Sequence, residues 1–272
     1  MKLCRFQPLV FGGAAVNAAG TEMRPEPRAG VIRDAVVHEI DGSFYGAWRE
    51  NGRAWPLAEV KLLPPSSPSK IVCVGRNYRE HAAELGNDVP KEPLIFLKPP
   101  SSVIAPEEPI LLPSLSKRVD HEGEFGVVIG KRCYLIPPGA DTRPYVLGYT
   151  CVNDVTARDL QKADVQFTRG KGFDTFCPFG PVIETDVDQK TATVETLVNG
   201  KRRQHAPLSD MVFSVDVILH WISQVMTLEP GDLVATGTPA GISALQTGDV
   251  VEVIVSGIGT LRNPVAARDT AV

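Results

Sequence analysis

The apolar positions fall into short runs, rich in β-branched side chains and broken by glycine, proline and asparagine. Runs of that kind, roughly four to eight residues long, are the signature of buried strands. They predict strands at 71–75, 94–98, the second half of 120–130, 146–154, 233–236, 248–255 and 259–261. Between 36 and 55 the pattern alternates apolar and polar, with turn signals at Asp41-Gly42 and Asn51-Gly52, which predicts a small hairpin-rich unit. Helical spacing is clearest at Val215, Ile218, Leu219, Ile222, Val225 and Met226, with Ser214 placed to cap the start. A two-turn helix is expected over 77–85, with Asn77 as its cap and Gly86 as its stop. A third helical piece follows Val155, and 169–178 reads as a glycine-rich loop. Residues 12–30, rich in Ala, Gly and Pro, read as loop. Residues 62–70 are dominated by proline and serine and read as a linker. The sum is about ten strands and three helices: an α+β chain, mostly β, with a small β-rich N-terminal unit at 1–61, a Pro/Ser linker at 62–70 and a larger domain at 71–272.

Composition narrows the class further. The chain has 272 residues, 43% hydrophobic and 22% charged, with a net charge of −4. That suits a folded water-soluble protein and gives no long-range attraction to nucleic acid or an anionic membrane. Five widely spaced cysteines, with no CxxC pair, read as buried hydrophobes in a reducing compartment. No apolar run approaches a membrane span and no leader pattern is visible, so the cytoplasm is the expected location.

Chemistry concentrates in Asp120-His121-Glu122-Gly123-Glu124. Strand alternation puts Glu122 and Glu124 on one face and Phe125, Val127 and Ile129 on the other. Gly126 then follows the acids on their own face and is expected to leave open space before them. His121 points away and reads as structural, while His38, His205 and His220 look like ordinary turn or helix residues. Asp154 ends the next predicted strand. Three clustered carboxylates either share a proton or hold a cation, and without soft ligands the cation would be hard: Mg²⁺, Mn²⁺ or Ca²⁺. A solvated strand end would show the same E-x-E. On the predicted helix, His81 and Glu84 lie three apart and share a face; Arg158 and Gln161 do the same beyond Asp154.

The ordered set Gly75-Arg76-Asn77-Tyr78…His81, Phe96-Leu97-Lys98-Pro99, Asp120-x-Glu122-x-Glu124, Gly148-Tyr149…Asn153-Asp154-Val155-x-Ala157-Arg158-Asp159, Lys171-Gly172-Phe173-Asp174 and Thr236-Gly237-Thr238-Pro239 resembles the fumarylacetoacetate hydrolase family. The likeness runs from about residue 70 to the end. It implies a mixed β-roll, usually dimeric, that binds Mg²⁺ or Mn²⁺ and acts on small oxo acids. It assigns Glu122, Glu124 and Asp154 to the metal, and His81 with Glu84 to a catalytic pair. Lys171 would be a catalytic cation, and Arg158, Gln161 and Thr238 substrate contacts. Asp174 would support Lys171 or form a purely structural salt bridge.

These residues lead to the expectation of a metal-dependent hydrolase that cleaves a C–C bond in an acylpyruvate-like 1,3-diketo acid. Here His81 would activate water and Lys171 would stabilise the departing enolate. The alternative is isomerisation or decarboxylation of a 2-hydroxymuconate-type diacid, or tautomerisation of oxaloacetate, which needs the enolate but no water attack. A metal-stabilised binding protein without activity is the third reading, disfavoured by the intact set of acids and bases. The short helix carrying His81 is expected to close over substrate as a lid, since its sequence offers little apolar area for docking.

Overall fold

The computed structural model describes residues 1–9 and 26–268. Most of the expected loop 12–30 lies outside the described residues; its last part, Arg28–Gly30, opens a strand. The described residues form nineteen strands and four α-helices, so the chain is α+β and predominantly β. A central sheet runs in the order Trp48–Pro56, Val36–Gly42, Arg28–Arg33, Lys2–Pro8, Cys177–Glu184, Val146–Asn153, Gly123–Ile129, Leu233–Ala235, Ile71–Gly75 and Leu94–Lys98. Neighbours along it are antiparallel except Leu233–Ala235, which runs parallel to Ile71–Gly75. A second sheet of five strands, built around the hairpin Val250–Val255 and Gly259–Ala267, completes the mixed roll.

Gly123–Ile129 is buried along its whole length, because both faces are covered. Phe125, Val127 and Ile129 belong to the core formed with the second sheet (Val194, Val253, Val255) and the helix Val215–Val225, while Val128 joins Val152, Ile183 and Leu233 on the other side. Phe125 stacks on Tyr149 with centroids 4.9 Å apart. Burying one such aromatic contributes about 2–3 kcal/mol, enough to make the register of this strand costly to change. The helix has the expected stripe and cap: Ser214 accepts from the Val217 N–H at 3.4 Å. Val225 departs from the stripe and is exposed, because the helix ends there and Met226 is already extended.

Several local readings change. Asn51-Gly52 is not a turn but lies inside the strand Trp48–Pro56, opposite a register shift between His38 and Ile40. Gly52 there adopts φ +87°, a bulge that glycine tolerates. Gly42 ends its strand, and the chain reverses over 43–47. The glycine-rich 169–178 is partly helical, with one turn at Thr168–Lys171. The first residues, weakly patterned in sequence, form the strand Lys2–Pro8, which pairs with Cys177–Glu184 and so extends the main sheet.

The proline-serine stretch is pinned in place. Val60–Leu63 pairs with Lys2–Pro8, and Ser66 donates to the Gly231 carbonyl at 2.9 Å. Buried Asp232 accepts from Ser69 N–H (2.9 Å), Ser69 Oγ (2.7 Å), Lys70 Nζ (2.5 Å) and Glu229 N–H (2.8 Å). Burial alone would raise this carboxyl, but the backbone donor at Glu229 and then Lys70 and Ser69 hold it below the usual aspartate range. A depressed folded value stabilises the protein above the unfolded pKa, and that contribution is lost as pH falls through the folded one. Asp232→Ala should therefore cost about 3 kcal/mol at neutral pH. It should also shallow the loss of stability below about pH 4, both read by denaturant melts across pH.

Candidate active site and metal centre

Glu122, at the entrance of the strand, and Glu124, within it, share one side as alternation requires. Asp154 follows the neighbouring strand Val146–Asn153, which pairs Gly123 with Asn153. That register brings oxygens of the three carboxylates within 4.8 Å of one another, all buried. Backbone ties hold the ends together: Asp154 N–H donates to the Glu122 carbonyl at 2.8 Å, and Glu122 N–H to Asn153 Oδ1 at 3.0 Å.

The three acids differ electrostatically. Lys171 Nζ donates to Glu122 Oε2 (2.7 Å) and Asp154 Oδ2 (2.5 Å). Arg158 bonds Glu122 Oε1, Asp120 Oδ2 (3.0 Å) and, through its third nitrogen, Gln161 Oε1 (2.7 Å). Burial would raise Glu122, but Lys171, Arg158 and His81 outweigh it and hold it far below the glutamate range. Glu124 makes no ion pair among the described residues: its partner is the Gly237 N–H at 2.8 Å. Burial, then repulsion from Asp154 and Glu122, pushes its pKa well up. A buried all-oxygen set with one carboxylate lacking a counter-charge fits a hard divalent ion. Glu122, Glu124 and Asp154 would hold it. Gly237 lets its backbone come this close because a Cβ there would fall 2.6 Å from the Asn77 Cβ, and its φ is +101°.

A cavity of about 230 Å³ opens beside the cluster. Its wall includes all nine residues expected at the site except Glu84: His81, Glu122, Glu124, Asp154, Arg158, Gln161, Lys171 and Thr238. Glu84 stands behind His81, with Oε2 3.1 Å from Nδ1 and Oε1 accepting from the Gly241 N–H at 3.1 Å. In this structure Thr238 Oγ1 donates to the Gly123 carbonyl at 2.8 Å and accepts from Gln204 Nε2 at 2.7 Å, so its hydroxyl supports the acid strand. His121 faces away, between Gln204 and Ser243.

Two expectations are corrected and one open alternative is decided. Gly126 does not leave open space: a Cβ there would sit 2.5 Å from Val152 Cγ2, so glycine admits the neighbouring strand. Of the two roles expected for Asp174, the structural salt bridge holds: it pairs with Arg268 at 3.2 Å on the surface, and Lys171 takes Glu122 and Asp154 instead. Asn77 is not a helix cap. It is fully buried, donates to the Phe213 and Thr236 carbonyls (3.1 and 2.7 Å) and accepts from Phe213 N–H (2.7 Å). The helix Arg79–Glu84 is docked in this structure, with His81, Ala82 and the preceding Tyr78 buried; its expected lid motion is tested by hydrogen exchange across 77–85 with and without oxalate.

Sequence reasoning gave no role to Lys98 or Asp120. Lys98 Nζ, fully buried, donates to Asp154 Oδ1 at 2.6 Å and the Val155 carbonyl at 3.0 Å. A lysine closing an apolar strand before two prolines was the available signal. Asp120 anchors Arg158 and Arg118.

Residues 70–266 match the model of the fumarylacetoacetate (FAA) hydrolase C-terminal domain, and residues 22–65 that of an Rv2993c-like N-terminal domain. The chain belongs to the fumarylacetoacetate hydrolase family. It is similar to a crystal structure titled 2-hydroxyhepta-2,4-diene-1,7-dioate isomerase from Mycobacterium marinum (42% identity, TM-score 0.86, 99% of this chain and 100% of that one). The oxaloacetate tautomerase YisK of Bacillus subtilis is 42% identical over 78% of this chain and 75% of its own length. Protein Rv2993c of Mycobacterium tuberculosis is 48% identical over 86% and 89%. The family is one of enzymes, and membership accounts for the buried acids at the mouth of the roll. All five cysteines are free and buried, with burial raising the thiols of Cys4, Cys133, Cys151 and Cys177 to about 12. No helix among the described residues is long and apolar enough to cross a membrane.

Proposed function

We propose that this protein interconverts the keto and enol forms of a small 2-oxo acid, with oxaloacetate as the first candidate. The observation that carries the reading is His81, held from behind by Glu84, on the wall of the cavity that the acid cluster also lines. Contact of Nδ1 with the Glu84 carboxylate fixes the imidazole tautomer and leaves Nε2 as the base. A divalent ion held by Glu122, Glu124 and Asp154 would supply a Lewis acid that polarises the oxo group. His81 removes a proton from the carbon next to that group. The imidazolium then protonates the oxygen of that group to give the enol; in the reverse direction His81 takes the enol hydroxyl proton and returns it to the carbon. Lys171, with both acids within reach, keeps positive charge beside the developing enolate. Resemblance to a tautomerase and to isomerase structures supports proton transfer over bond cleavage.

Hydrolysis of an acylpyruvate is the second reading, favoured by the same oriented base, which could activate water. We expect a dimer in solution and Mg²⁺ or Mn²⁺ as the ion. Protein with Mg²⁺ should accelerate oxaloacetate ketonisation, followed by ultraviolet absorbance. It should release no acetate from acetylpyruvate and no fumarate from fumarylpyruvate, and a hydroxymuconate tests isomerisation. Acid release without ketonisation would replace the first reading by the second.

A further inference from the structure

The cavity is lined by four cations, and they are not equivalent. Arg158 and Lys171 are buried and spent on Asp120, Glu122 and Asp154. Lys162 is exposed at the rim. Arg76 is half-buried and lines the cavity together with Val74, Gly75, Leu94 and Phe96, and no ion pair or side-chain hydrogen bond engages it among the described residues. Its backbone is also unusual: φ is +58°, in the left-handed region that β-carbons disfavour. The neighbours enforce that conformation. The strand Ile71–Gly75 fixes the chain before it, and Asn77, bonded to Phe213 and Thr236, fixes it after. A strained residue that presents an unpaired guanidinium to a cavity is a candidate ligand-binding element.

We propose that Arg76 is a specificity-determining residue that binds the second carboxylate of a dicarboxylic 2-oxo acid, at the end of the substrate away from the acid cluster. This rests on the 2-oxo acid reading above and adds the chemistry of the far end. A planar guanidinium takes a carboxylate through two parallel charge-assisted bonds, and its partly desolvated position strengthens them. A substrate ending in a methyl group would leave the same cation facing an apolar chain end and gain nothing from it.

The test titrates the Mg²⁺-loaded protein by calorimetry with oxaloacetate, with 2-oxobutanoate, which has four carbons but no second carboxylate, and with oxalate. The wild type should bind oxaloacetate at least about tenfold tighter than 2-oxobutanoate. Arg76→Gly should remove that preference while changing 2-oxobutanoate and oxalate affinity less than about twofold. Its melting temperature should not fall, because glycine accepts the left-handed backbone. Arg76→Gln is the second variant, and Arg76→Lys should keep part of the preference. Oxaloacetate bound no tighter than 2-oxobutanoate by the wild type, or equal losses for all three ligands in the variants, overturns the proposal. The preference without ketonisation would keep the subsite and discard the reaction; ketonisation without the preference would do the reverse.

Discussion

Glu124→Gln should weaken Mg²⁺ or Mn²⁺ binding by roughly a hundredfold, by calorimetry, while leaving the metal-free protein as stable as the wild type or more so. Glu124 is the acid of the three that forms no ion pair among the described residues, and burial and its two acidic neighbours already disfavour its charge. Removing that charge relieves repulsion. Glu122→Gln should also weaken metal binding, but it should lower the melting temperature of the metal-free protein, because it strips Lys171 and Arg158 of a buried partner. Excess EDTA should abolish turnover and Mg²⁺ or Mn²⁺ restore it; full activity in EDTA would end the metal assignment. The raised Glu124 also has a pH consequence. The native metal-free protein holds a proton that the unfolded chain releases near the ordinary glutamate value. Its stability should therefore fall as pH rises from that value towards the raised one. Saturating metal should remove this slope in wild type, and Glu124→Gln should remove it without metal. A slope unchanged in the variant would mean that another group titrates.

His81→Ala should lower kcat for the reaction by about 10²–10⁴ with little change in metal affinity. The imidazole touches Glu84 and lines the cavity, and no bond joins it to the three acids. Glu84→Gln should cost less, since it leaves the base and removes its orientation. In the tautomerase reading both ketonisation and substrate C–H exchange with deuterated water fall together, because one group moves both protons. Loss of acylpyruvate cleavage with ketonisation spared would mark His81 as a water activator instead.

The short-range features of the site are those that local geometry dictates. Period-two alternation is enough to put Glu122 and Glu124 together, and a three-residue spacing on a helix is enough to join His81 to Glu84 and Arg158 to Gln161. The helix Val215–Val225 and its Ser214 cap follow from the same kind of rule. The family resemblance, carried by six ordered motifs, supplied the functional roles that spacing cannot.

Other features depend on which strands become neighbours, and no window of sequence contains that. Asn77 looks like a cap until the segments around Phe213 and Thr236, 136 and 159 residues later, take its side-chain hydrogen bonds. Asp174 stands beside Lys171 in sequence yet meets Arg268, 94 residues away, because Lys171 turns into the cluster. Lys98 reaches Asp154 across 56 residues, and Gly126 is needed for the approach of a neighbouring strand rather than for open space. The strand Lys2–Pro8 joins the main sheet through Cys177–Glu184, about 180 residues away, besides pairing with Arg28–Arg33 and Val60–Leu63. Alternation and helical spacing are set by covalent geometry and can be read from the chain alone. The partner of a buried charge is set by sheet order, which lowers the free energy of the whole fold at once and so appears only in the tertiary structure.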